Sequence, residues 1–206
     1  MGSPRTEDGF TLVELVLAIL IIGVITVPLG DVVIGFLKNT DATTARLLES
    51  HDAQIASAYW AQDVASIGTR GPAPTYAPII GSVETDVAYN SGLYPCGPAG
   101  TPNAIVRFAW DDFSGADATP QVLVPMQVRV AYVVQTVSGE TGLHRLRCNG
   151  STTVDSDVTL AHDLDPSMLP TVTCATTCTL HLTLKDPNNH NSAYVVDLSG
   201  QRRQSS

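Results

Sequence analysis

Glu14 is a carboxylate placed among residues that reject one. It stands near the start of "FTLVELVLAILIIGVITVPL", residues 10–29, an otherwise apolar run of 20 residues. As a helix rising about 1.5 Å per residue, that run spans about 30 Å, the thickness of a bilayer core. An ionisable group in such a span costs a few kcal/mol and calls for a partner. Cleavage of the chain between Gly9 and Phe10 would supply one, because Phe10 would then carry a free α-amine. Glu14 follows four residues later, on the same helical face. The amine and the carboxylate could pair within one chain or between chains packed side by side. The positive end of the helix dipole would favour the carboxylate as well. The chemistry read here is proteolysis followed by ion pairing.

Four cysteines form the next candidate set: Cys96, Cys148, Cys174 and Cys178. An even count behind an N-terminal apolar segment suggests an oxidising compartment and two disulfides. The local C-x-x-x-C pair favours Cys174–Cys178 and leaves Cys96–Cys148, with a zinc site or free thiols as alternatives. Paired knuckles or ligand-like histidine spacing, the marks of zinc, are missing. Five histidines, His51, His144, His162, His181 and His190, are scattered, and those in strands read as sheet surface. The acidic stretches 111–117 and 155–157 offer oxygens to calcium but match no calcium-loop spacing, so solvated turns are the favoured reading and no cofactor is expected. Asn149–Ser151 forms a glycosylation sequon of little weight here. No nucleophile elbow, zinc-protease motif or phosphate-binding glycine loop occurs, and enzymatic activity is not expected.

Composition narrows the class further. The chain has 206 residues and a formal net charge of −9, with 44% hydrophobic and 15% charged residues. That balance disfavours a nucleic-acid-binding surface and a polybasic membrane patch. Lysine occurs only at Lys38 and Lys185. A secretory signal is a poor fit, because "MGSPRTED" carries one Arg and two acids and no A-x-A-like site follows the apolar run. Arg5 alone gives the positive-inside rule little to act on.

The stretch "GFTLVELVLAILIIGVI" closely resembles the N-terminal motif of type IV prepilins and type II secretion pseudopilins. The resemblance is strong over residues 8–25 and weak beyond them. It implies a leader of residues 1–9, cleavage by a membrane prepilin peptidase at Gly9–Phe10, N-methylation of Phe10, and Glu14 as the carboxylate that pairs with a neighbouring subunit's amine during filament assembly. Two features depart from the common pattern. Glu7 and Asp8 precede Gly9 where a basic residue is usual, and Pro28 stands a few residues earlier than the helix proline of major pilins. "AYWAQDVASIG" and "VRVAYVV…GLHRLRC" are similar to segments of minor pilins and J-type pseudopilins, which favours a minor over a major subunit. Glu14 itself argues against the secretion tip subunit, which typically lacks it. The implied partners are the peptidase, other pilin or pseudopilin subunits and, before assembly, the inner membrane, with the C-terminal domain outside the cytoplasm. An adhesin or DNA-uptake tip subunit is the alternative, with Tyr94 and Trp110 as candidate exposed aromatics.

These residues need elements to hold them. The expected fold is α+β: a long N-terminal helix, transmembrane over 10–37 and amphipathic over 38–68, packed on an antiparallel β-rich domain over 69–200, with a tail at 201–206. Leu48, Ile55 and Tyr59 mark the apolar stripe, with Glu49, Asp52, Gln54 and Asp63 mostly off it. Pro28 is expected to kink or loosen the helix, and two helices joined near 38–43 are an alternative to one. Strands are expected at 104–110, 127–137, 142–148, 154–160, 169–174, 178–184 and 193–198. Residues 138–142, "SGETG", read as a hairpin turn.

Overall fold

A computed structural model of the chain describes residues 11–70, 78–79, 82–112, 126–184 and 194–203. The chain divides into two units, the first ending at Ala45 and the second beginning at Arg46. Helix α1 spans Leu12–Ser66 without interruption, so the two-helix alternative does not hold. Pro28 lies inside it. The proline ring removes one backbone N–H, and the helix continues on both sides of it although β-branched residues and glycines flank it. Thr11 caps the start, its hydroxyl accepting the Glu14 N–H at 3.3 Å. At the other end Gly68, with φ of 146°, turns the chain out of the helix.

The second unit is built from antiparallel sheet. Strands β1 (Thr69–Arg70) and β2 (Pro78–Ile79) form a short pair. Five strands then form a meander in chain order: β3 (Val83–Val87), β4 (Ala104–Asp112), β5 (Met126–Val137), β6 (Glu140–Asn149) and β7 (Ser156–Ala161). A separate three-stranded sheet has the order β10-β9-β8, from β8 (Thr171–Cys174), β9 (Thr177–Leu184) and β10 (Tyr194–Gln201). The β5–β6 turn is two residues long, between the paired Val137 and Glu140. Ser138 and Gly139 both take positive φ, 56° and 89°, the type I′ geometry whose twist matches the flanking strands.

Helix and sheets share one core. Ala56, Trp60 and Val64 of α1, with Ile67 just past its end, pack with Val106, Phe108, Val130, Tyr132 and Leu143 of the larger sheet and Leu180, Leu182 and Leu198 of the smaller one. Trp60 meets Phe108 and Tyr132 edge-on, with ring centroids 5.3 and 5.2 Å apart. Its indole N–H donates to the Cys178 carbonyl at 3.1 Å, so the largest core side chain leaves no buried polar atom wanting. The opposite face of the larger sheet buries Ala104, Ala131, Val133, Leu146 and Cys148 with Cys96 from the loop before β4.

Several sequence expectations shift. Leu48 is 60% exposed, whereas Ile55 and Tyr59 of the expected stripe do pack against the core, beside the buried Asp52, Ala56, Trp60, Asp63 and Val64. Both acids are buried because they have partners in the β-rich unit, described below. Strand β3, "VETDV", is not among the expected strands; with two acids in five residues it carries little apolar alternation. Strand β10 reaches Gln201, and the Arg202 N–H donates to the Thr176 carbonyl at 3.1 Å, so the start of the expected tail is tied down. Thr183 is buried although it alternates with Leu182 and Leu184.

Candidate assembly site

The N-terminal half of α1 presents an uncovered apolar surface. Leu12, Val13, Leu15 and the large apolar residues through Leu37 are exposed. The helix is long and apolar enough to cross a membrane, with a mean hydropathy of 2.7 over its best window. Its polar side chains are few, and its hydroxyls are satisfied internally. Thr26 donates to the Ile22 carbonyl at 2.7 Å and Thr40 to the Phe36 carbonyl at 2.9 Å. In lipid such back-bonding spares a hydroxyl the cost of an unmet hydrogen bond.

Glu14 sits in the first turn of this helix. Its backbone N–H donates to the carbonyl of Thr11 at 3.0 Å as well as to the Thr11 hydroxyl. Thr11-x-x-Glu14 is therefore the sequence pattern of a capping box, a local signal for where the helix starts. The cap fixes where the helix starts, and so fixes Glu14 one turn in. Gly9 and Phe10, the expected cleavage and methylation positions, lie outside the described residues.

In the second unit the helix is clamped by charge. Asp63 is 1% exposed and takes a two-pronged interaction from Arg145 of β6, Nε to Oδ2 at 2.6 Å and Nη2 to Oδ1 at 2.7 Å. The Tyr132 hydroxyl, from the directly opposed position on β5, donates to Oδ2 at 2.7 Å. Tyr59, one turn before Asp63, lies under the guanidinium with its ring centroid 4.8 Å from Cζ. Burial pushes the Tyr132 phenol well above its ordinary value, and the Asp63 charge adds to the push. Burial pulls Arg145 down, but the hydrogen bonds and charge of Asp63 outweigh it and hold the guanidinium above its ordinary value. A second tether lies three turns earlier, where Asp52 Oδ2 faces the backbone N–H of His162 at 2.9 Å and its Nδ1 at 2.8 Å.

The far face of the sheet is covered by residues 88–103, held to it in three ways. Arg107, fully buried on β4, donates to the carbonyls of Val87, Ala88 and Ser91 and reaches Glu84 at 3.4 Å. Desolvation lowers its pKa, and Glu84 opposes that shift. Arg129 donates to the Pro95 carbonyl at 3.2 Å. Cys96 is disulfide-bonded to Cys148, and Cys174 to Cys178 across the β8–β9 turn.

The remaining candidates fall into ordinary structural places. His144 pairs with Asp157 at 2.9 Å, and His181, exposed on β9, pairs with Asp197. His51 is exposed on α1, and His190 lies outside the described residues. The acidic stretch at 111–117 enters β4 through Asp112, and its remainder lies outside the described residues. Asp155 accepts the Asn149 N–H at 2.7 Å. Among the described residues, no group of three or more His, Cys, Asp or Glu side chains is placed to hold a metal ion. Tyr94 is buried, with its hydroxyl 3.4 Å from that of Thr69, and Trp110 is half-buried against the core, so the two do not form an exposed aromatic patch.

Residues 4–30 match the model of the prokaryotic N-terminal methylation motif, and the chain carries that motif. With an apolar N-terminal helix and antiparallel sheets behind it, the layout is α+β and pilin-like. Together they support a precursor of the type IV pilin or pseudopilin kind, a structural rather than enzymatic class processed by prepilin peptidase and assembled with other pilins. No curated protein and no solved structure was found to match the chain.

Proposed function

We propose that the protein is a minor pilin or pseudopilin subunit, cut by prepilin peptidase between Gly9 and Phe10 and assembled into a type IV pilus or a type II secretion-like filament. The observation that carries this reading is the methylation motif at residues 4–30 lying over an apolar helix whose one early charge is Glu14. On this reading residues 1–9 are the leader, 10–37 cross the inner membrane, 38–68 serve the globular domain, and 69–200 face outward. The mature amine of Phe10, N-methylated, pairs with Glu14 of a neighbouring subunit. The helix thereby exchanges lipid for other helices, and its carboxylate exchanges an unfavourable medium for a cation.

The test is mass spectrometry of the mature N-terminus together with filament incorporation. The expected mature chain starts at methylated Phe10. Gly9→Ala blocks or slows processing, and Glu14→Ala leaves cleavage largely intact but lowers incorporation. A mature chain starting elsewhere, or normal incorporation of the Glu14→Ala protein, overturns the proposal.

A further inference from the structure

Asp31 and Lys38 are the other charged residues of the uncovered helix before Thr40. Residues 32–37, "VVIGFL", follow Asp31; all six are exposed, and all but Gly35 are large and apolar. If lipid covers residues 12–30, this second apolar stretch is left in water. If lipid covers it too, Asp31 is left in lipid. Either placement strands one of the two until another helix covers them.

The helix cannot resolve this by itself. Side chains meet along one helix at spacings of three or four. The positions so related to Asp31 are Val27, Pro28, Ile34 and Gly35, none of them a cation. Lys38 is seven residues on, about 10.5 Å along the axis.

The spacing of the charges does resolve it between two helices. A left-handed pair of parallel helices meets along a seam whose positions alternate three and four apart. Taken from Glu14, the seam runs Glu14, Leu17, Ile21, Val24, Pro28, Asp31, Gly35, Lys38. Every charged residue of 12–38 falls on it. A straight helix drifts about 20° per heptad from this line, which supercoiling removes. The pairing of one copy's Phe10 amine with another's Glu14 shifts the two copies by four residues, about 6 Å. That same shift sets one copy's Asp31 level with the other's Gly35. Lys38 lies three residues further, about 4.5 Å. Helical side chains lean toward the N-terminus, so the lysine leans back onto the carboxylate.

We infer that two copies of this chain pair as parallel staggered helices with a second ion pair, Asp31 of one to Lys38 of the other, closing the end of the seam opposite Glu14. This rests on the assembly reading of Glu14 above, and adds to it a homotypic contact with a defined stagger.

The experiment uses the full chain in its membranes. Chains carrying Asp31→Cys and chains carrying Lys38→Cys are co-expressed and oxidised, with Asn39→Cys, one residue off the seam, as the control. The expected result is a mixed Asp31→Cys/Lys38→Cys dimer as the dominant product, with little from Asn39→Cys. Equal yields from the two overturn the inference. In parallel, Asp31→Lys or Lys38→Asp alone lowers recovery of copies with one another by about tenfold or more, and the double exchange in one chain restores it. No loss in the single variants, or no restoration in the double, overturns it as well. The Glu14→Ala protein separates the two readings. Loss of assembly in that protein with no effect at Asp31 refutes only the second ion pair, whereas normal assembly of that protein refutes the reading beneath it.

Discussion

Replacing Asp63 by Asn keeps the shape of the side chain and removes its charge. The structure sets the consequence. Arg145 has its Nε and Nη2 on the two oxygens of Asp63 and is itself 5% exposed, so its charge would remain buried without a counter-charge. Breaking a buried pair by removing one partner costs about 3–5 kcal/mol. With a urea dependence of about 2 kcal/mol per M, the unfolding midpoint falls by about 1.5–2.5 M. Arg145→Met alone should cost a similar amount, since it strands the carboxylate with only the Tyr132 hydroxyl. Asp63→Leu with Arg145→Met and Tyr132→Phe should fall within about 1 kcal/mol of the wild type, because the desolvation of both charges disappears together and no buried hydroxyl is left without its acceptor. The assay is urea unfolding followed by tryptophan fluorescence, for which Trp60 is well placed against Phe108 and Tyr132. A loss below about 1 kcal/mol for Asp63→Asn would refute the reasoning, as it would mean the pair is solvated and of the weak surface kind.

Three further outcomes follow from the same geometry. Tyr132 keeps its proton in the folded state where the unfolded chain, with a phenol near 10.0, releases it. Stability should therefore be unaffected by this group below about pH 10 and fall above it, by up to about 1.4 kcal/mol per pH unit, and Tyr132→Phe should remove that slope. A Cβ on Gly200 would stand 2.8 Å from Val64 Cβ, so Gly200→Ala should lower stability in thermal unfolding by about 1–3 kcal/mol, with partial recovery when Val64→Ala is added. The Cys96–Cys148 link spans 52 residues and Cys174–Cys178 only 4, so loop-closure entropy predicts losses of about 4 and about 2 kcal/mol when each pair is changed to Ser, measured by denaturant unfolding.

Much of the architecture is legible because local signals agree with the global fold. The apolar run, the Ser138–Gly139 turn and the alternating strands each read directly from residue type and period. The clamp on the helix did not. Asp52 and Asp63 fall off the stripe that Leu48, Ile55 and Tyr59 mark, because acids on amphipathic helices usually face water. The partners that bury them come from His162, Arg145 and Tyr132, more than 65 residues away in sequence, and no helical period reports on those. A signal was available on the strand side. Arg145 lies between Leu143 and Arg147 on the helix-facing side of β6, opposite a tyrosine, and a cation on a core face demands an acid. Strand β3 escaped for a different reason. Its Glu84 faces Arg107 on the far side of the sheet, and a short acidic strand carries little apolar alternation to detect.

The attachment of the helix within the β-rich unit has a mechanical meaning. Whatever draws this chain by its N-terminal helix must pass the load to the sheets through residues 52–67. Three polar tethers lie along that stretch: Asp52 to His162, Trp60 to the Cys178 carbonyl, and Asp63 to Arg145 and Tyr132. They grip the end of β7, the smaller sheet and the centre of the larger sheet. Sliding the helix along its axis strains all three at once rather than one after another, and it also drags Val64 across the bare backbone of Gly200. The domain is thus fastened as a rivet is, in shear and at several points, so a pull on the helix moves the whole domain before it peels any one strand away.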